Sequence, residues 1–305
     1  MDVFLVLVVK LIPLYALIAL GWFAGVVLKV HRDSIAFLLI YILTPIVILD
    51  GMLSVQLSAA TLSLPFFFWA LCTVICIASF ICAKFFWINE TRNLAAFASA
   101  NGNTGYFGIP VAIALFGTGA LGPLVLGSLG FILYENTVGF FVLSRGTFTI
   151  RESLRKVVRL PAMYALFFGL FLRLAHVAPS AAVFDTIASV RGAYGVLGMM
   201  VIGLGLAGMR RDAFDLRLVG FTHAVKFILW PLLVVGLLRL DARFFHFYDP
   251  ALHPVMLLLS MVPLAVNTVA FSVIARVQPQ KASLIVLTST IVALIVIPAY
   301  TVLFF

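Results

Sequence analysis

The chain has 305 residues, of which 64% are hydrophobic and 10% charged, with a mean hydropathy of +1.21. Soluble domains are about half apolar and a quarter charged, so this composition excludes a water-soluble globule of ordinary surface. The net charge of +9 does not point to nucleic acid, because the basic residues fall in short connections between apolar runs, and that is a topology pattern.

Apolar runs of about 20 residues suffice to cross hydrocarbon. They predict ten spans, at 3–28, 34–55, 62–83, 93–116, 121–143, 160–177, 192–209, 218–238, 254–275 and 282–304. The N-terminus, Met1-Asp2-Val3-Phe4, lacks a basic leader and runs on apolar to Leu28, so it reads as a retained first span. That span carries Lys10, and the second carries Pro45 and Asp50. Lys10 and Asp50 lie towards the same end of their spans, where they can form a static pair or a functional one. The third span holds Cys72, Cys76 and Cys82 without a CxxC spacing or a histidine cluster. They read as small packing residues, and no metal or cofactor is expected.

The fourth span contains Asn101-Gly102-Asn103-Thr104-Gly105-Tyr106-Phe107-Gly108-Ile109-Pro110. Three glycines, a proline and several polar side chains make a poor helix interior. Such a break survives at bilayer depth only where protein or a water-filled cavity covers it. The other reading is a kinked helix whose polar groups bond to its neighbours. The fifth span carries Glu135. A strongly basic connection, 144–159, then divides the chain in two.

The second half repeats features of the first. Pro161-Ala162-Met163-Tyr164-Ala165-Leu166 answers Pro13-Leu14-Tyr15-Ala16-Leu17, and Asn267-Thr268-Val269-Ala270-Phe271, after Pro263, answers Asn103-Thr104-Gly105-Tyr106-Phe107. Two halves with an odd number of spans must be oppositely oriented, as in transporters built from inverted repeats. The glycines of the seventh span, Gly192, Gly195, Gly198, Gly203, Gly205 and Gly208, admit close helix packing or a surface along which a domain slides. The eighth span carries His223 and Lys226. At 1.5 Å per residue Lys226 and Glu135 sit at similar depth, roughly 15 Å from one surface. An ion pair between them is expected, either to position helices or to take part in proton coupling or charge compensation. His31, His176, His246 and His253 sit at span ends, where solvated roles are expected.

Loop charges set the orientation. Lys29, Arg32, Lys84, Arg92, Arg145, Arg151 to Arg159, Arg210, Arg211, Arg217, Arg276 and Lys281 fall on one side. Arg173, Arg191, Arg239 and Arg243 fall on the other. The bias places the first group in the cytoplasm, with both termini and the Gln56–Thr61 loop outside. The cytoplasmic (inner) membrane is the expected location.

The run from Asn101 to Pro110, followed by Phe116-Gly117, resembles the signature of the auxin efflux carrier family in its short bacterial branch. The overall plan is similar to that of the bile acid and sodium symporter superfamily. The resemblance implies an all-α polytopic fold in which spans four and nine cross as broken helices. It implies repeats at 1–143 and 160–305 joined by the 144–159 linker, a scaffold of spans one, two, six and seven, and a transport domain of spans three to five and eight to ten. It implies a secondary transporter, not an enzyme, moving a mono- or dicarboxylate such as malonate or malate, or an auxin-like acid, by alternating access. The alternative is a sensory or channel-like membrane protein of the same fold. A homodimer is compatible with this plan.

Half-helix N-termini carry partial positive charge and suit an anion. The expected substrate site is Asn101, Asn103, Thr104, Gly105, Tyr106, Pro110, Pro263, Asn267 and Thr268. The expected coupling or charge-compensating set is Glu135, His223, Lys226, Asp50 and Lys10. No acid–base or metal constellation such as HExxH is present.

Overall fold

Proline fixes the shape of these helices as much as hydrophobicity does. A proline inside a helix has no amide proton and its ring clashes with the carbonyl four residues back. In the computed structural model, a widened π turn lies immediately before three X-Pro pairs: Leu39–Leu43 before Thr44-Pro45, Thr104–Gly108 before Ile109-Pro110, and Val225–Leu229 before Trp230-Pro231. Each widened turn moves the offended carbonyl aside without ending the helix. A fourth, Glu135–Gly139, has no proline. There the Asn136 amide and Thr137 hydroxyl donate to the Ile132 and Leu133 carbonyls, at 2.8 and 2.6 Å, and compete with the backbone for them.

The structure describes residues 3–54, 59–117, 120–175, 177, 179–207 and 214–304. Among these the fold is all-helical. Helices α1 Val3–Val26, α2 Arg32–Leu38 and α3 Thr44–Ser54 are followed by α4 Ala59–Ala83. Two short helices, α5 Thr91–Ser99 and α6 Ile109–Phe116, flank an irregular stretch. Then come α7 Leu121–Tyr134, α8 Phe140–Ser144, α9 Ile150–Val158, α10 Pro161–Leu174 and α11 Ala181–Leu206. After them stand α12 Leu216–Ala224, α13 Trp230–Leu240, the pair α14 His253–Met261 and α15 Asn267–Ala275, and α16 Pro279–Phe304.

Among the described residues, six stretches are long and apolar enough to cross a membrane: 32–50, 62–83, 122–144, 181–206, 216–245 and 279–300. Helix α1 is apolar over its 24 residues, and the apolar stretch Pro250–Met261 is shorter. The remaining expected spans are interrupted or short: 93–116 and 254–275 are each broken in the middle, and α10 has 14 residues. The basic linker, expected as a plain connection, contains α9. Span seven starts at Ala181, eleven residues before its expected start at Gly192, which moves Arg191 from a loop into a helix. Large apolar side chains such as Phe66, Phe167, Phe171, Leu232 and Ile295 are more than 60% exposed. A belt of this kind is compatible with lipid, not with water.

Glycines bring helix backbones together. A Cβ on Gly203 would lie 2.0 Å from the Ile18 carbonyl oxygen and 2.5 Å from the Trp22 nitrogen. One on Gly21 would lie 2.1 Å from the Met200 oxygen. So α1 and α11 cross with almost no side-chain layer between them. Gly205 faces the Ser283 side chain of α16, whereas Gly192 faces open space. For Gly203 the packing reading therefore holds over the sliding one, Gly205 packs between α11 and α16, and Gly208 lies outside the described residues. Gly203→Ala is expected to destabilise by about 1–3 kcal/mol, since a methyl forced against rigid backbone has nowhere to go. Melting temperature in a fixed detergent checks this, and Gly192→Ala should leave it unchanged.

Candidate functional site

The two interrupted helices meet at their breaks. Between α5 and α6 the chain runs irregularly through Asn101, Gly102 and Asn103. Between α14 and α15 it does so through Val262 to Val266. The Asn103 backbone N–H donates to the Pro263 carbonyl at 2.7 Å, so one break supplies the partner that the other lacks. Buried backbone groups freed from a helix need such partners. Other groups close the remainder. The Leu264 N–H donates to the Ser289 hydroxyl at 3.1 Å, and the Trp230 indole N–H to the Ser99 carbonyl at 2.9 Å.

Glu135 ties the crossing from the side. Its carboxylate accepts from the Asn101 amide at 2.6 Å and from the Asn267 amide at 3.0 Å. The Asn101 side-chain oxygen in turn accepts from the Gly102 N–H at 2.8 Å. The Tyr194 hydroxyl stands 2.8 Å from the Asn267 amide nitrogen and 3.0 Å from its oxygen. Both protons of the Asn267 amide therefore have acceptors inside the protein. This corrects the expected role of Asn267 as a free donor to a ligand.

Beside the crossing lies a cavity of about 180 Å³. Asn103, Thr104, Gly105 and Asn267 line it, as do Gly102, Ser128, Glu135 and the hydrophobic side chains of Val125, Phe131 and Ile132. Asp50 reaches it from α3, and Arg191 and Tyr194 reach it from α11. Arg191 is the one basic residue among the described lining residues, and its guanidinium meets the Asp50 carboxylate at 2.5 Å. Asp50 is almost buried, while the Arg191 side chain is 57% exposed. A guanidinium has five N–H donors. The contact with Asp50 leaves others for a ligand.

Other expected site residues stand elsewhere. Asn101 is fully buried behind the cavity. Thr268 is fully buried, does not line the cavity, and its hydroxyl has no hydrogen-bond partner. The side chains of Lys10, Tyr106 and Pro110 lie outside the described residues, as do residues 56–58 of the Gln56–Thr61 loop, His176, Arg210 and Arg211. The Glu135–Lys226 ion pair is not formed: Glu135 is held by the two asparagines. The Lys226 Nζ, fully buried and without a hydrogen-bond partner, sits 4.4 Å from the Trp230 ring centroid and 5.3 Å from that of Phe131. Cation–π attraction is available there. Lys226 also limits Gly102, where a Cβ would lie 2.9 Å from Nζ. His223 faces a separate cavity with Phe227, Val296 and Tyr300.

Sequence reasoning missed Arg191 and Tyr194. Their spacing of three puts both on one face of α11. The signal was Arg191 itself, a charge within a helix-length apolar run, hidden because the run was started at Gly192, eleven residues after the helix begins.

Residues 6–153 match the family model described as membrane transport protein. The first half of the chain is similar to that family. The matched stretch holds α1 to α8, the first broken helix and Glu135. No curated protein matches the chain. The match and the apolar helices support a multi-pass helical membrane protein of transport type. That reading agrees with a non-enzymatic role. Among the described residues no group of three metal-ligating side chains occurs.

Proposed function

We propose that this protein is a secondary transporter for a small organic anion, a mono- or dicarboxylate, bound in the cavity beside the crossing. The observation that carries the reading is the Arg191 guanidinium. It is the basic group of a largely apolar cavity, and only partly engaged by Asp50. A carboxylate can take the remaining N–H donors in paired geometry. Asn103 and Thr104, from the break between α5 and α6, adjoin the same space. The cavity volume favours an acid of a few carbons over a large amphiphile.

The expected motion follows from the halves. In this reading the chain makes ten passes as two inverted repeats, 1–143 and 160–305, with broken passes four and nine at corresponding positions. The crossing with α7, α8, α12 and α13 belongs to a moving transport domain. Arg191 and Asp50, on α11 and α3, belong to the scaffold. A substrate held between them bridges the two, and rocking of one against the other opens the cavity to alternate sides. Loop charges place both termini outside the cytoplasmic membrane.

A panel of small ligands tests the anion reading. Purified protein is heated with malonate, malate, acetate or indole-3-acetate, and with amines and sugars of matched size. A ligand at a hundred times its Kd stabilises by about 2.7 kcal/mol, which shifts the melting temperature by several degrees. At least one carboxylate is expected to do so. Stabilisation by amines or sugars alone would overturn the proposal.

A further inference from the structure

The helix of the central linker, α9 Ile150–Val158, has three distinct faces. At 100° per residue, Ile150, Leu154 and Val158 form one stripe, and they are 57, 52 and 61% exposed. Arg151, Arg155 and Arg159 form the adjoining stripe and are exposed too. Ser153, on the face away from the arginines, is fully buried against the body, as is Leu160 just past the helix end. The helix is therefore docked on one side and amphipathic on the other.

The single acidic residue of α9 is already committed. Glu152 accepts from the Thr149 N–H at 2.9 Å and the Thr149 hydroxyl at 2.7 Å, while the Glu152 N–H donates back to that hydroxyl at 3.3 Å. This is a capping box at the helix start. The Thr149 backbone donor, then its hydroxyl, hold the Glu152 carboxyl below its ordinary range. Lys156 sits 4.1 Å from the Phe148 ring centroid. Glu152 also feels the charges of Lys156 and Arg155, and it is the helix's one carboxylate against four basic residues at 151–159.

Position fixes what the outer face meets. The apolar stretch 122–144 ends six residues before α9, and the apolar helix α10 begins three residues after it. Both neighbours belong in hydrocarbon, so α9 is held at the membrane–water boundary. An amphipathic helix there buries its apolar stripe among acyl chains and presents its basic stripe to headgroups.

We propose that α9 is a binding surface for anionic phospholipid, with Ile150, Leu154 and Val158 seated among acyl chains and Arg151, Arg155 and Arg159 on the headgroup phosphates. The surface is separate from the cavity and does not depend on which substrate is carried. A basic residue near an anionic surface strengthens attraction about fivefold, so three should together give roughly a hundredfold.

Native mass spectrometry of the full chain, titrated with phosphatidylglycerol or phosphatidylcholine, tests it. The wild type should bind phosphatidylglycerol more tightly than phosphatidylcholine. The triple variant Arg151→Gln, Arg155→Gln, Arg159→Gln should lose most of that preference. The triple variant Arg151→Lys, Arg155→Lys, Arg159→Lys should keep it, because the interaction needs charge more than geometry. Arg239→Gln with Arg243→Gln, away from α9, is the control and should keep it too. All three arginines are exposed, so their replacement removes no packing, and an unchanged melting temperature confirms folding. Preference retained by the glutamine triple, or lost equally in the Arg239/Arg243 control, would overturn the proposal.

Discussion

Arg191→Gln is expected to remove high-affinity binding of the carboxylate while leaving the protein folded. A hydrogen bond to a charged group contributes roughly 1.5–3 kcal/mol. A paired guanidinium–carboxylate contact makes two of them. Each 1.4 kcal/mol is a factor of ten, so affinity should fall by at least a hundredfold. The stability effect should be smaller. Arg191 is more than half exposed, and a solvated partner contributes little to folding, about 1 kcal/mol or less. Arg191→Lys separates charge from shape. It keeps the cation but loses the fork, and affinity should fall by about tenfold. Asp50→Asn is informative in the other direction. It frees the guanidinium from its competitor at 2.5 Å, so affinity should hold or rise. Isothermal titration with the best stabiliser of the panel measures all three. A full loss of affinity in Asp50→Asn together with wild-type affinity in Arg191→Gln would move the anion contact away from α11.

The second large effect falls on stability. Glu135 is the common acceptor for Asn101 and Asn267, one from each broken element. Glu135→Ala leaves two buried amide donors unsatisfied, and each such loss costs about 1–3 kcal/mol. A summed loss of about 2–6 kcal/mol is a large share of the stability of any folded domain. Glu135→Gln should fall between, since one amide oxygen remains while its NH₂ group faces another donor. Lys226→Met is the counterpart. Its ammonium has no acceptor and lies against aromatic rings, so replacement by an apolar chain of similar length should be neutral or stabilising. Had the two groups formed an ion pair, the methionine would strand a buried carboxylate and destabilise the protein instead. Melting temperatures of the three variants in one detergent and at one pH distinguish these arrangements.

Much of the site was legible because proline and glycine are positional. The polar run from Asn101 to Pro110 announced a break that water could not repair at bilayer depth, whereas the widened turns before Pro45 and Pro231 were not anticipated. The approach of this break to the one after Pro263 followed from the repeated Asn-Thr-x-x-Phe. Partners were less legible than positions. Depth counted along two helices put Glu135 and Lys226 at one level, but depth says nothing of azimuth. Their side chains turn to different neighbours, the asparagines in one case and Trp230 and Phe131 in the other. The Asp50 partner was obscured by a boundary. Starting the seventh span at Gly192 left Arg191 in a loop, while the observed helix begins at Ala181 and carries Arg191 into the cavity. Helix ends depend on tertiary cover, which a hydropathy run does not contain. The amphipathic helix in the linker was hidden for a related reason, since a basic segment read only for its charge conceals the Ile150-Leu154-Val158 stripe.

A small carboxylate is expected to cross the membrane through the cavity lined by Arg191, Asn103 and Thr104. Exchange in proteoliposomes tests it most directly. Vesicles containing purified protein are loaded with the unlabelled carboxylate that stabilises the protein most, diluted into the same compound carrying a radiolabel, and filtered over time. Wild-type vesicles should accumulate label well above protein-free vesicles, Arg191→Gln vesicles should match the protein-free level, and Gly192→Ala vesicles should match the wild type. Label that enters Arg191→Gln vesicles at the wild-type rate, or that enters wild-type vesicles no faster than protein-free ones for every carboxylate that stabilises the protein, would contradict it.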